Sequence, residues 1–139
     1  LKGKLSKASY GTADAILTKL EAGERVADVP ADLRTLFRPS VQPFLITMLA
    51  PDPAAELGKL TCPVLVASGT ADVQVTAADA ERLTAARPGV TSLRLDGMNH
   101  VLKRVADPAK QLRTYTDPHW PTDPRLSAGV AAFVRGAFK

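Results

Sequence analysis

Apolar side chains recur at helical spacing along the first third of the chain. Ala13, Ile16, Leu17 and Leu20 fall at i, i+3, i+4 and i+7, one face of a helix that Gly23 would end. Pro30-Ala31-Asp32 opens a short second helix carrying Leu33, Leu36 and Phe37. Between Ser40 and Leu49 nearly every position is apolar (Val41, Phe44, Leu45, Ile46, Met48, Leu49), with Pro39 and Pro43 near the start. This pattern predicts a helix buried on most sides. Asp52-Pro53 then reads as an N-cap with proline at the first helical position, starting a turn through Glu56 and Leu57.

The period changes after residue 60. Pro63-Val64-Leu65-Val66-Ala67-Ser68 is a short, near-continuous apolar run ending at Gly69, the pattern of a parallel strand covered on both faces. Thr76-Ala77-Ala78-Asp79 has the form of a capping box with an acidic residue placed for the helix dipole. The helix it opens runs through Leu83 and stops at Arg87-Pro88-Gly89. Thr91 to Asp96 alternates as a second strand with one wetter face. A strand, a helix and a strand with so long a connection make a right-handed βαβ unit. Residues 101–139 form a loop rich in Pro and Asp, then a helix from Asp123-Pro124 with Leu126, Val130, Phe133, Val134 and Ala137 on one face.

This inventory is short of strands. Two parallel strands do not make a stable sheet, and nothing in residues 1–60 reads as a third. The pattern therefore predicts an α/β fold whose sheet needs further strands, with an N-terminal part lying upstream of Leu1 or the open edge covered by a strand-exchanged oligomer.

Composition narrows the functional classes. A hydrophobic share of 45% and a charged share of 23% suit a globular chain and exclude a disordered tail. No apolar run approaches the ~20 residues of a membrane-spanning helix. The first residues, Leu1-Lys2-Gly3-Lys4, have no apolar stretch of the signal-peptide kind. The net charge of +4 invites a nucleic-acid reading. However, the basic residues are scattered among acidic ones. Only Lys2/Lys4/Lys7 and Lys103/Arg104/Lys110/Arg113 cluster, with no aromatic residues interleaved, so no nucleic-acid partner is expected. Cys62, the one cysteine, excludes an intrachain disulfide and reads as a small buried hydrophobe ahead of Pro63. The start of a strand offers it neither a helix N-terminus nor a cation, so it is no candidate nucleophile.

Chemistry concentrates in two loops. In open parallel sheets, functional groups lie outside the carboxyl ends of the strands. Gly69-Thr70-Ala71-Asp72 leaves the first strand and Gly97-Met98-Asn99-His100 leaves the second, so Asp72 and His100 emerge at the same sheet end. A carboxylate there can fix the tautomer of an imidazole and stabilise the imidazolium it becomes as a general base. Asp72 can instead merely form an Asx-turn before the Thr76 helix, and a lone loop histidine is usually just solvated. His119, in Asp117-Pro118-His119-Trp120-Pro121, reads as part of a proline-locked surface loop and stands as a second candidate base. No His-x-His or His-x-x-x-His spacing points to a metal, and Gly69-x-x-Asp72 lacks the further glycines of a dinucleotide site, so no cofactor is expected.

An apolar strand with Gly-x-x-Asp, then a strand with Gly-x-x-His, resembles the acid and histidine loops of the α/β-hydrolase fold, where the triad runs Ser, Asp or Glu, then His. Phe37-Arg38-Pro39-Ser40-Val41-Gln42-Pro43, Gly69-Thr70-Ala71-Asp72-Val73-Gln74-Val75, Met98-Asn99-His100-Val101-Leu102-Lys103 and Thr114-Tyr115-Thr116-Asp117-Pro118 together resemble bacterial serine hydrolases of the serine aminopeptidase branch, often described as esterases or lipases. The resemblance covers most of the chain. It implies that residues 1–60 are cap or lid helices and that residues 61–139 are the C-terminal part of the core. It further implies that Asp72 orients His100, that Phe37, Phe44 and Met48 help line an acyl or leaving-group pocket, and that a small ester is the substrate.

The departure is the nucleophile. Ser6, Ser9, Ser40, Ser68, Ser92 and Ser127 are all outside any G-x-S-x-G elbow, and the oxyanion-hole loop is missing as well. The resemblance places both upstream of Leu1, and this chain alone is expected to be inactive. Two alternatives stand beside the esterase: a hydrolase-like binding module without catalysis, and a relative of the same fold that cleaves amides or peptides or dehalogenates through an Asp nucleophile.

Overall fold

The computed structural model describes residues 7–137, and the chain divides into two units between Asp52 and Pro53. Lys2 and Lys4 of the N-terminal basic cluster lie outside the described residues.

In the first unit, helix α1 (Lys7–Glu21) is followed by a one-turn 3-10 helix (Ala31–Leu33), α2 (Arg34–Phe37) and α3 (Gln42–Leu49). The apolar stripe of α1 faces inward, so that Ile16 and Leu20 join Val29, Leu33 and Phe37 in a buried core. Gly23 adopts φ +80°. The turn closes with Gly23 N–H donating to Leu20 O and Glu24 N–H to Lys19 O, a Schellman ending that an L-residue would strain. The expectation for α3 is corrected. Leu45, Ile46 and Leu49 pack on the core, but Phe44 and Met48 are 67% and 54% exposed. A helix apolar all round carries no period to say which side is covered, and here only one side is. The fully buried group on α3 is polar. Gln42 donates from Nε2 to Val26 O and Phe37 O, both at 2.7 Å, and accepts Val26 N–H at 2.8 Å through Oε1. Its amide is satisfied by the loop it pins, as a buried polar group requires.

The second unit contains α4 (Pro53–Gly58), β1 (Leu65–Gly69), α5 (Ala77–Thr84), β2 (Thr91–Leu95), α6 (Gln111–Thr116) and α7 (Pro124–Ala137). Strands β1 and β2 pair in parallel, with Leu65 opposite Thr91 and Gly69 opposite Leu95. Among the described residues this is a two-stranded sheet. Thr76 caps α5 as its sequence indicates: its hydroxyl receives Asp79 N–H while Asp79 Oδ2 receives Thr76 N–H. The helix ends at Thr84, earlier than expected, where Ala86 N–H turns to Leu83 O at 3.2 Å and tightens the last turn. Ser68, Ser92 and Arg94 share a cleft with α5. On the other sheet face, Leu93 meets α7 where Gly129 leaves room for it, which gives a helix–sheet–helix layering.

The all-round burial expected of the first strand is not found. β1 is half-buried, with Ala67 exposed, because its outer edge pairs with no strand among the described residues. Cys62 is also exposed, which corrects its reading as a core residue. It precedes β1 in an irregular turn, where its carbonyl accepts from Arg87 Nη2 and its side chain is left outside. Among the described residues no helix is long and apolar enough to cross a membrane.

Candidate active site

Asp72 and His100 meet at the carboxyl end of the sheet, with Asp72 Oδ2 3.0 Å from His100 Nδ1. Backbone close approach makes this possible. Thr70 N–H donates to Leu95 O and Ala71 N–H to Met98 O, so the loops leaving the two strands are stitched together directly. Gly69 is where they touch. A Cβ there would lie 1.9 Å from Met98 O.

The acid is held by its second oxygen. Asp72 Oδ1 accepts Gln74 N–H at 2.8 Å and Val75 N–H at 3.0 Å. The Asx-turn reading and the base-orienting reading are therefore not rivals. One carboxylate oxygen makes the turn, and the turn aims the other at the imidazole. Burial pushes the Asp72 carboxyl up, but the hydrogen bonds from Val75 and Gln74 and the contact with His100 outweigh it, holding the group below its ordinary value. An ionised carboxylate only accepts, so His100 must donate from Nδ1, which leaves Nε2 as the free basic nitrogen. Nε2 has no hydrogen-bond partner among the described residues. The side chain of Asp72 is 14% exposed and that of His100 is 41%, so the imidazole is more open to solvent than the carboxylate.

The histidine loop is a small hairpin. Val105 N–H donates to Gly97 O at 2.8 Å and Asn99 N–H to Lys103 O at 3.0 Å, leaving His100, Val101 and Leu102 at the tip. Leu102 has φ +62°, the left-handed position of a three-residue hairpin that glycine usually occupies. The side chain of Leu102 lines a groove with Val66, Ser68, Val75, Asp72 and His100. The groove measures about 230 Å³, below the roughly 300–1,000 Å³ of complete small-molecule sites. Ser68 borders it from within strand β1, not from the strand–helix turn that a nucleophile elbow requires.

The other sequence candidates lie within their own units. Phe37 belongs to the core of the first unit, while Phe44 and Met48 are exposed on α3. His119 is exposed in a turn where its backbone N–H donates to Asp117 Oδ1, and its ring has no hydrogen-bond or ion-pair partner among the described residues. The basic cluster at 103–113 is partly consumed internally. Lys103 Nζ donates to Thr114 O and Asp117 O, and Arg113 pairs with Asp117 at 3.5 Å. Among the described residues no three His, Cys, Asp or Glu side chains gather as metal ligands.

Sequence reasoning passed over Asn99, Thr114 and Asp123. All three are polar and essentially fully buried. Asp123 Oδ2 pairs with Arg125 Nη2 at 2.5 Å, and Arg125 Nη2 also reaches Asp96 O, tying α7 to the end of β2. Its position before Pro124 marks a helix start, and nothing local distinguishes a buried cap from an exposed one. No protein-family model, curated protein or solved structure matches this chain.

Proposed function

We propose that Asp72 and His100 are the acid and base of a hydrolase that works by acyl transfer, and that the substrate is a carboxylic ester. The observation that carries this reading is the 3.0 Å contact of Asp72 Oδ2 with His100 Nδ1 at the carboxyl ends of two parallel strands, with the imidazole 41% exposed and Nε2 unpartnered among the described residues. His100 Nε2 takes the proton of a serine hydroxyl as the serine oxygen attacks the ester carbonyl. Asp72 stabilises the imidazolium, which then protonates the departing alcohol as the C–O bond breaks. In the second half, Nε2 takes a proton from water, the hydroxide adds to the acyl group, and the acid is released with the serine re-protonated.

The serine comes from a segment beyond these 139 residues, because no serine here stands at an elbow. The small groove and the edge of β1 that pairs with no strand among the described residues are where its strand-bearing part would close the site. The missing elbow is also what favours the second reading, a non-catalytic module of the same shape.

The test uses a fluorophosphonate probe and p-nitrophenyl esters on the protein isolated from its source with whatever chain accompanies it. One serine outside residues 1–139 gains the probe mass, and Asp72→Asn lowers ester turnover by about four orders of magnitude, as loss of the correct tautomer does. Turnover unchanged by D72N overturns the assignment. Ester turnover absent, with no adduct formed, leaves the binding-module reading.

A further inference from the structure

Helix α6 is six residues long, too short to persist by its own hydrogen bonds. Apolar packing does not hold it either. Leu112 is 81% exposed, and the one buried residue of the helix is Thr114. Its attachments are polar, and they run to both site loops. Toward the acid loop, Gln111 Nε2 donates to Ala71 O at 2.9 Å, and Tyr115 Oη accepts from Gln74 Nε2 at 3.2 Å. Toward the histidine loop, Thr114 Oγ1 accepts from Asn99 Nδ2 at 2.7 Å, and Lys103 Nζ donates to Thr114 O at 2.8 Å. Ala71 and Asn99 immediately precede Asp72 and His100 in the chain. The Gln111 tie therefore acts on the Ala71–Asp72 peptide, and the Thr114 tie on the side chain of the residue before His100.

We propose that α6 is a brace that sets the Asp72–His100 geometry, with Thr114 and Gln111 as its positioning residues. The inference rests on the pair working as proposed above. Thr114 is the junction. Its hydroxyl accepts from Asn99 and donates to Gln111 O at 2.7 Å, so both of its roles are needed at once. Asn99 in turn closes the hairpin with Oδ1, which receives Lys103 N–H at 3.1 Å. One buried amide thus joins the helix to the loop that presents the base. Threonine is required for its hydroxyl, not for its methyl. Serine retains the junction, and valine, of the same shape, removes it and strands a buried amide N–H.

The test reads the imidazole directly and needs no activity. In the ¹⁵N-labelled protein, kept with whatever chain accompanies it, long-range ¹H–¹⁵N spectra across pH report which ring nitrogen carries the proton, with His100→Gln and His119→Gln assigning the two histidines. In the parent chain, neutral His100 carries its proton on Nδ1, and Asp72→Asn abolishes that preference. Thr114→Ser keeps it. Thr114→Val loses it, and His100 then shows the tautomer balance of the exposed His119. Should the valine variant fail to fold, Gln111→Met cuts the acid-loop tie alone and is expected to weaken the Nδ1 preference. A Thr114→Val chain, or in its place a Gln111→Met chain, in which His100 keeps its Asp72-dependent tautomer overturns the brace and leaves the pair intact. A parent chain without that tautomer overturns the hydrolase reading and the brace with it.

Discussion

Replacing Gly69 by alanine tests whether the two loops are held by close approach of backbone to backbone. The added methyl would stand 1.9 Å from Met98 O, 2.5 Å from its carbonyl carbon and 2.9 Å from its Cβ. Ordinary contact begins near 3.4 Å, so the loops must part by roughly 1.5 Å. The obstacle is mainly main chain, and no rotamer change relieves it. Met98 O cannot retreat without giving up the hydrogen bond from Ala71 N–H, now 3.0 Å. Overpacking at about 1–3 kcal/mol and a lost hydrogen bond at about 1 kcal/mol together predict a destabilisation of about 2–4 kcal/mol. Urea unfolding followed by the fluorescence of Trp120, the single tryptophan and a member of the same unit, should show a midpoint lowered by roughly 1–2 M. His100, two residues beyond Met98, should lose its Asp72-dependent tautomer in the same variant. Gly136→Ala is the control. It adds a methyl with nothing within 4 Å on helix α7, and is expected to be neutral or to stabilise by about 0.5 kcal/mol. A G69A chain within about 0.5 kcal/mol of the parent, with its His100 spectrum unchanged, would refute the close-approach argument.

Two further outcomes follow from the same geometry. Asp72 and Asp123 are both held below the ordinary carboxylate value. For Asp72 the backbone bonds and His100 overcome burial, and for Asp123 the main cause is the hydrogen bond from Arg125. The stability they contribute is therefore fully present above their unfolded pKa of about 4 and is lost as pH falls through their lower folded values. Thermal unfolding between pH 7 and 2 should show this acid limb, shallower in Asp72→Asn, and an identical limb in that variant would contradict the assignment. Leu102→Gly relieves a left-handed backbone at a site where the side chain is 44% exposed. Strain relief of about 1–2 kcal/mol against an unfolded-state entropy cost of about 0.4–1 kcal/mol predicts a net gain near 0.5–1 kcal/mol, and a clear loss of stability in urea would show that the leucine packs more than it strains.

Much of the secondary structure was legible from spacing alone. The α1 stripe, the glycine ending at Gly23, the Thr76 capping box and the two short strands are local patterns, and local hydrogen bonding and propensity decide them. The meeting of Asp72 with His100 followed from topology, since loops leaving parallel strands joined by one helix emerge at one end. Burial was less legible. The apolar runs at 41–49 and 63–68 announce hydrophobicity without saying which side will be covered, and both are half-covered.

What the residues of one segment determine by themselves is their own conformation and the type of chemistry they carry, here a carboxylate and an imidazole on two strand-end loops. Only the tertiary structure decided which backbone groups brace them. Gln42, Asn99, Thr114 and Asp123 look in the sequence like ordinary surface polar residues. Each is buried because a group distant in the chain, or the layer packed over it, takes its place in the water shell. Gly69 looks like a simple strand terminator until the carbonyl of Met98 is seen resting where its Cβ would be. Asp123 pairs with Arg125 two residues on, but the other roles draw on partners such as Val26, Thr114 and Met98, well beyond one turn of the chain, and no local period encodes them.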